Sequence, residues 1–142
     1  MAFNILIVDD SSSMRAIIAK IIKTSGFNAG ELLEAADGKE AMKVLASEWV
    51  DIVMTDINMP HMSGMEFIRE MKKDELLRSI PVLVVTTEGS DTRVQEAFKL
   101  GAMGYIKKPF LPEDIKKTLS TLMGEGAYEK RDYDKGYEDC DF

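Results

Sequence analysis

The sequence predicts an α/β protein built on a five-stranded parallel sheet with helices on both faces, a doubly wound arrangement. Three short segments, residues 5–8, 52–54 and 82–85, are apolar without interruption. Such runs are typical of strands covered on both faces, as in parallel sheets. Helical apolar patterns separate them, and regular alternation of strand and helix favours right-handed crossover connections.

The first half of the chain contains two strand–helix units. After the strand at residues 5–8, apolar side chains recur at the spacing of one helical face. They are Met14, Ile17, Ile18, Ile21 and Ile22. Serines 11–13 could cap this helix. A weaker strand pattern at residues 31–35 precedes a second helical stripe, formed by Ala41, Val44 and Leu45.

The second half contains three more units. The strand at 52–54 precedes a weak helical pattern at 65–73, which Ser63 and Gly64 could begin. The strand at 82–85 precedes a helix that Ser90 or Asp91 could cap. A weaker strand at 104–107 leads to the last helix. There Pro112 suits the first turn, and the next two acidic residues complement the helix dipole.

Length and charge limit the organisation and the partners. The 142 residues fit one domain, assigned to residues 1–124, followed by an acidic tail at 125–142. The net charge of −7 gives no basic surface for nucleic acid. No apolar run approaches the roughly 20 residues needed to cross a membrane. Cys140 is the single cysteine, so no internal disulfide can form, and we expect a cytoplasmic protein.

Polar side chains follow the predicted strands at one edge of the sheet, where open α/β sheets bind ligands. Asp9 and Asp10 follow the first strand and Asp56 the third, while Thr86 and Thr87 stand at the end of the fourth and Lys107 and Lys108 at the end of the fifth. Three converging carboxylates need a counter-ion, and Mg²⁺ favours oxygen ligands while leaving room for a phosphate oxygen. An aspartate can itself accept a phosphoryl group, so the pattern predicts phosphoryl transfer.

Each of these residues also has a purely structural interpretation. Asp9 and Asp10 could cap the first helix, and Asp56 could be a turn residue. The presence of a threonine hydroxyl and a lysine at the other strand ends favours a site. Trp49 is predicted to be a packing residue, or a fluorescent reporter if it lies near the site.

Four motifs carry a resemblance to a known family. They are VDDSSSMR from Val8, TDINMPHMSG from Thr55, VVTTEG from Val84 and GYIKKPF from Gly104. They resemble the receiver domains of two-component response regulators, especially those of chemotaxis, and the resemblance covers residues 4–123. The resemblance implies the flavodoxin-like strand order 2-1-3-4-5.

The resemblance also implies the roles of the residues around the acidic cluster. Asp56 would be the phosphoacceptor. Asp10 would bind Mg²⁺ directly and Asp9 through water, while Asn58 would offer its backbone carbonyl. Lys108 would pair with the phosphate and precede a cis bond to proline.

A second group of roles concerns switching. Thr86 would hydrogen-bond a phosphoryl oxygen, and Tyr105 would change rotamer as Thr86 moves. Asn58 and Glu88 occupy the positions that tune self-dephosphorylation. The effector face would lie on the fourth helix, fifth strand and fifth helix. Its residues would be Val94, Phe98, Tyr105, Lys107 and Phe110.

The implied partners are a histidine kinase, of the chemotaxis type, and an effector protein. The flagellar motor switch is one candidate effector. However, receivers that bind this switch tend to have a basic residue at the position of Asp91, and Phe98 is bulky by comparison. An alternative is a phosphorelay intermediate or phosphate sink with the same chemistry. The resemblance implies a resting monomer that could dimerise on phosphorylation.

Two enzyme classes fit less well. Phosphatases that use an aspartyl phosphate usually carry a D-x-D pair after the first strand, whereas Asp9 and Asp10 are adjacent. A flavin-binding relative would need a phosphate-binding loop there, and two aspartates would repel the phosphate. The resemblance instead implies self-phosphorylation and self-dephosphorylation, which is not the activity of a conventional enzyme.

Overall fold

The computed structural model describes residues 2–124, and it contains five strands and five helices in strict alternation. The strands are β1 (Phe3–Val8), β2 (Ala29–Ala35), β3 (Ile52–Thr55), β4 (Val82–Thr86) and β5 (Gly104–Lys107). The helices are α1 (Ser12–Ser25), α2 (Gly38–Ser47), α3 (Gly64–Lys73), α4 (Asp91–Leu100) and α5 (Pro112–Met123). The predicted tail, residues 125–142, lies outside the described residues, so its separation from the domain stays a prediction.

All strand pairs are parallel, and the sheet order is β2-β1-β3-β4-β5. The predicted fold class and strand order are therefore confirmed. β2 begins at Ala29, two residues before the predicted start. Its pattern is weak because β2 is an edge strand that buries only part of its side chains.

The sheet separates two apolar layers, and neighbouring side chains of one strand enter different layers. Ile5 and Ile7 of β1 pack in the layer that contains α1 and α5. Leu6 and Val8 pack in the layer that contains α2, α3 and α4. Burial on both faces explains why the central strands are uninterrupted apolar runs.

Local capping fixes where the helices begin. Ser11, Asp37, Ser63 and Ser90 each accept a hydrogen bond from a backbone N–H of the first turn. At the start of α5, Asp114 accepts from the N–H of Leu111 at 2.8 Å. In the described part of the chain, no helix is both long and apolar enough to span a bilayer.

Candidate functional site

The carboxyl ends of β1 and β3 bring the acidic residues together. Val8 pairs with Thr55 in the parallel ladder, so Asp9 and Asp56 leave the sheet side by side. Both are buried, at 3% and 8% relative exposure, whereas Asp10 is exposed. One carboxylate oxygen from each of the three lies within 4.8 Å of the others.

Lys108 joins this cluster from the end of β5. Its ammonium lies 2.7 Å from Oδ2 of Asp9 and 3.0 Å from Oδ2 of Asp56. Its backbone N–H donates to the carbonyl of Thr86 at 2.8 Å, and its bond to Pro109 is cis, as expected. Burial lowers the pKa of Lys108, but hydrogen bonds and Coulomb attraction to the two aspartates outweigh it and hold the pKa above its usual value.

The structural interpretations of the aspartates are only partly correct. Ser11, rather than Asp9 or Asp10, caps α1, and Asp9 instead accepts the N–H of Ser11 at 2.9 Å. Asp56 does organise a turn, because its Oδ1 accepts the N–H of Ile57 at 2.6 Å. Its Oδ2 faces Lys108, so the same carboxylate serves both the turn and the cluster.

Thr86 and Tyr105 are connected through the backbone of Glu88. Thr86 is fully buried at the end of β4, and its hydroxyl accepts the N–H of Glu88 at 3.1 Å. The hydroxyl of half-buried Tyr105 donates to the carbonyl of Glu88 at 2.7 Å. Burial and the Glu88 carboxylate raise the pKa of Tyr105 above its usual value.

The predicted effector-face residues differ in exposure. Phe98 is 45% exposed on α4 and Lys107 is exposed on β5, while Val94 and Tyr105 are half-buried. Phe110 is half-buried and packs on the layer of α1 and α5. The predicted effector-face residues thus include both exposed and partly covered side chains.

The donor set suits a hard divalent cation. Three carboxylates supply oxygen ligands of the type that Mg²⁺ prefers. In the described chain, no hydrogen bond to the carbonyl oxygen of Asn58 is found, which leaves that oxygen available as a further ligand. The residues present therefore fit the predicted cofactor.

The family model of the response regulator receiver domain matches residues 5–120. This chain belongs to the response-regulator receiver family. The receiver is 39% identical over 126 residues to a chemotaxis protein CheY homolog of Campylobacter jejuni, covering 88% of this chain and 95% of the relative. The predicted resemblance to chemotaxis receivers is thereby confirmed.

Solved structures agree with this assignment. The chemotaxis response regulator CheY4 of Vibrio cholerae is 34% identical, with a TM-score of 0.78 over 86% of this receiver and 99% of that chain. The Mn²⁺-bound form of response regulator Rcp1 is 27% identical, with a TM-score of 0.74 over 91% of this receiver and 99% of that chain.

Two residues near the receiver's acidic cluster were not singled out from the sequence as site residues. Gly64 begins α3 so close to the backbone carbonyl of Asp56 that a Cβ there would collide with it. Arg15 donates to the carbonyl of Asp9 at 2.5 Å and to the carboxylate of Glu34 at 2.7 Å. Gly64 ends the second motif, so a close approach could have been suspected there. The Arg15 contacts depend on where β2 packs.

Proposed function

We propose that this receiver is a phosphorylation-dependent switch in which Asp56 accepts a phosphoryl group from a histidine kinase. The observation that carries the proposal is the position of Lys108, whose ammonium contacts both Asp9 and Asp56. A cation beside a buried carboxylate is suited to the charge that develops on a transferring phosphoryl group.

The proposed step is a displacement at phosphorus. A carboxylate oxygen of Asp56 attacks the phosphorus of a phosphohistidine, the P–N bond breaks, and the histidine nitrogen keeps the electron pair. The product is an acyl phosphate on Asp56. Lys108 neutralises a phosphoryl oxygen, and the Thr86 hydroxyl donates a hydrogen bond to another.

Asp9, Asp10, Asp56 and the carbonyl of Asn58 would hold Mg²⁺, with Asp9 acting through water. When bound, Mg²⁺ would supply further neutralisation of the phosphoryl oxygens. The Mn²⁺-bound form of Rcp1, a response regulator of the same fold, supports the proposal that this receiver binds a divalent cation.

The output would pass through the Thr86–Glu88–Tyr105 connection. If Thr86 turns toward the phosphoryl group, its hydrogen bond with the N–H of Glu88 is broken, and Glu88 also holds the Tyr105 hydroxyl. Tyr105 would then rearrange on the effector face, together with Val94, Phe98, Lys107 and Phe110. Asn58 and Glu88 would tune the rate at which the phosphoryl group is lost.

Similarity to chemotaxis proteins supports a chemotaxis kinase as the donor and a protein effector, such as a flagellar motor switch. The same chemistry would serve a phosphorelay intermediate or phosphate sink. Transfer of the phosphoryl group from Asp56 back to a histidine domain would identify that alternative. We propose a resting monomer, with dimerisation limited to the phosphorylated form.

The test is intact-protein mass spectrometry after incubation with acetyl phosphate and Mg²⁺. We expect the added mass of one phosphoryl group, lost in Asp56→Asn and in the presence of a chelator. Asp74→Asn is a matched control, because Asp74 lies after α3 and outside the acidic cluster. Addition to Asp56→Asn at the wild-type level would disprove the assignment of the acceptor.

A further inference from the structure

A second concave site lies at the amino ends of β3 and β4, whereas Asp56 follows the carboxyl end of β3. It is a cavity of about 550 Å³ between the end of α2, the residues before β3 and the segment that joins α3 to β4. Apolar side chains form much of its lining: Met42, Leu45, Val50, Leu77, Ile80 and Pro81. Cavities of this size and character are typical of binding sites.

Two large apolar side chains stand exposed on the rim of this cavity. Trp49 is 74% exposed and Leu76 is 85% exposed. The expectation that Trp49 is a packing residue, or a reporter near the acidic cluster, is therefore wrong. Grouped apolar surface of this kind marks interaction sites more often than isolated exposed residues do.

The indole ring of Trp49 is held in its exposed position by a hydrogen-bond network. Its Nε1–H donates to Oδ1 of Asp51 at 3.0 Å, and Oδ2 of Asp51 accepts the backbone N–H of Asn4 at 2.8 Å. The side-chain amide of Asn4 donates to the carbonyl of Trp49 at 3.0 Å. The ring is thus oriented before any partner arrives, which lowers the entropic cost of binding.

The charged residues that line this cavity are all acidic. They are Glu48, Asp51 and Asp74, with no lysine or arginine among the lining residues. Within residues 2–124, none of these three carboxylates forms an ion pair. The electrostatic complement of this surface is therefore a cationic partner.

We propose that this surface binds a basic, amphipathic segment of a partner protein. An apolar side chain of the segment fills the cavity and packs against Trp49 and Leu76. Lysine or arginine side chains beside it face Glu48, Asp51 and Asp74. Trp is among the residues that contribute most to protein interfaces, which makes Trp49 the anchor.

This surface is separate from the phosphorylation site and goes beyond the proposed switch. β3 begins at Ile52, beside the cavity, and ends at Thr55, beside Asp56. Binding at the cavity therefore leaves the acidic cluster and the Tyr105 face uncovered. A partner docked here could stay bound while the other face exchanges effectors.

Charge argues against two other occupants. The tail, residues 125–142, contains tyrosines that could enter the cavity, but it carries seven acidic and three basic side chains. A second copy of the chain, in a symmetric dimer, would place two acidic rims against each other. Both arrangements bring like charges together.

The first test uses two labelled synthetic peptides with identical leucine positions at helical spacing, one filled with lysine and the other with glutamate. Fluorescence anisotropy with the full chain should show binding of the lysine peptide, weakened by salt, and at least tenfold weaker binding of the glutamate peptide. Trp49 is the single tryptophan, so its emission should change on binding. Equal affinity for both peptides would overturn the proposal.

Matched variants locate the site. Leu76→Ser should weaken binding of the lysine peptide at least tenfold, whereas Ile17→Ser, at an exposed position on α1, should not. Glu48→Gln should weaken binding more than Glu113→Gln, which removes one exposed acid on α5. Circular dichroism checks that each variant is folded. If the two variants of either pair weakened binding equally, the peptide would be attracted non-specifically to an acidic protein, and the proposal would be overturned.

Two further outcomes would assign the surface to another occupant. A Trp49 emission that depends on protein concentration, in parallel with sedimentation as a dimer, would identify a second copy. A shift in Trp49 emission on replacing Tyr128, Tyr133 and Tyr137 by alanine in the full chain would identify the tail. Either result would overturn the proposal.

Discussion

The ammonium group of Lys108 lies 3.0 Å from Oδ2 of Asp56, although 52 residues separate the two along the chain. The same nitrogen lies 2.7 Å from Oδ2 of Asp9. One cation thus balances two buried carboxylates, and a bound divalent cation would share that role. The first prediction tests whether Lys108 and a bound metal ion neutralise the same two carboxylates.

Lys108→Met should destabilise the protein most strongly in metal-free buffer. Removal of the ammonium leaves Asp9 and Asp56 close together without a counter-charge, so we expect the free energy of unfolding to fall by about 3 kcal/mol. Added Mg²⁺ should restore stability more in the variant than in the wild type. Urea unfolding with and without Mg²⁺ measures both effects.

Lys107→Met is the control for this measurement, because Lys107 is exposed and forms no ion pair with any of the described residues. It should change stability by no more than about 0.5 kcal/mol. If Mg²⁺ stabilised both variants equally, Lys108 and the metal would not share the same carboxylates.

Asp10→Asn should separate metal binding from folding. Asp10 is exposed, and its side chain forms no hydrogen bond or ion pair with any residue of the described chain. Its replacement should change the free energy of unfolding by less than about 0.5 kcal/mol. We expect Mg²⁺ affinity, measured by calorimetry, to fall at least tenfold. An unchanged affinity would remove Asp10 from the ligand set.

Gly64→Ala should disturb the acceptor. The new Cβ would collide with the backbone carbonyl of Asp56. The backbone there is held in place, because the N–H of Asp56 donates a hydrogen bond to the carbonyl of Val8. We expect a loss of about 3 kcal/mol in unfolding free energy and slower phosphorylation. In Gly89→Ala, the Cβ would meet only the flexible end of Lys107, so stability should be nearly unchanged. Similar losses in both variants would contradict this explanation.

The raised pKa of Tyr105 predicts a distinct alkaline titration. Burial and the Glu88 carboxylate favour the neutral phenol in the folded protein, so Tyr105 should ionise above its usual pKa of 10.0. Its contribution to stability is present below pH 10 and is lost as the pH rises through the folded pKa. In an ultraviolet titration, Tyr105→Phe should remove a component that ionises above pH 10.0. Loss of an earlier component instead would refute the assignment.

Much of the fold could be read from the sequence because local patterns and tertiary burial agree. The central strands are apolar on both faces, and Ser63 and Pro112 begin helices where sequence rules place them. β1 and β2 each begin two residues before the predicted start, and in β2, an edge strand, exposed side chains interrupt the pattern. Trp49 was misjudged because it lies between α2 and β3, where no periodic pattern indicates whether a side chain faces solvent.

The candidate site was predictable in its residue types but not in its contacts. Strand ends indicate that Asp9, Asp56 and Lys108 should meet, since parallel strands present their carboxyl ends at one edge. Two contacts depended on the paths of loops. Arg15 donates to the carbonyl of Asp9, and the backbone of Glu88 connects Thr86 with Tyr105. Loop paths follow from packing rather than from local sequence.

The sequence by itself determined the strand–helix alternation, the acidic cluster and its lysine, because these depend on hydrophobic periodicity and on residues at strand ends. Only the tertiary structure decided that Asp10 stays exposed while Asp9 and Asp56 are buried. It also decided that Trp49 stands on the rim of a cavity with acidic lining residues. The physical reason is that burial and charge balance are set by neighbours that lie far apart in the chain.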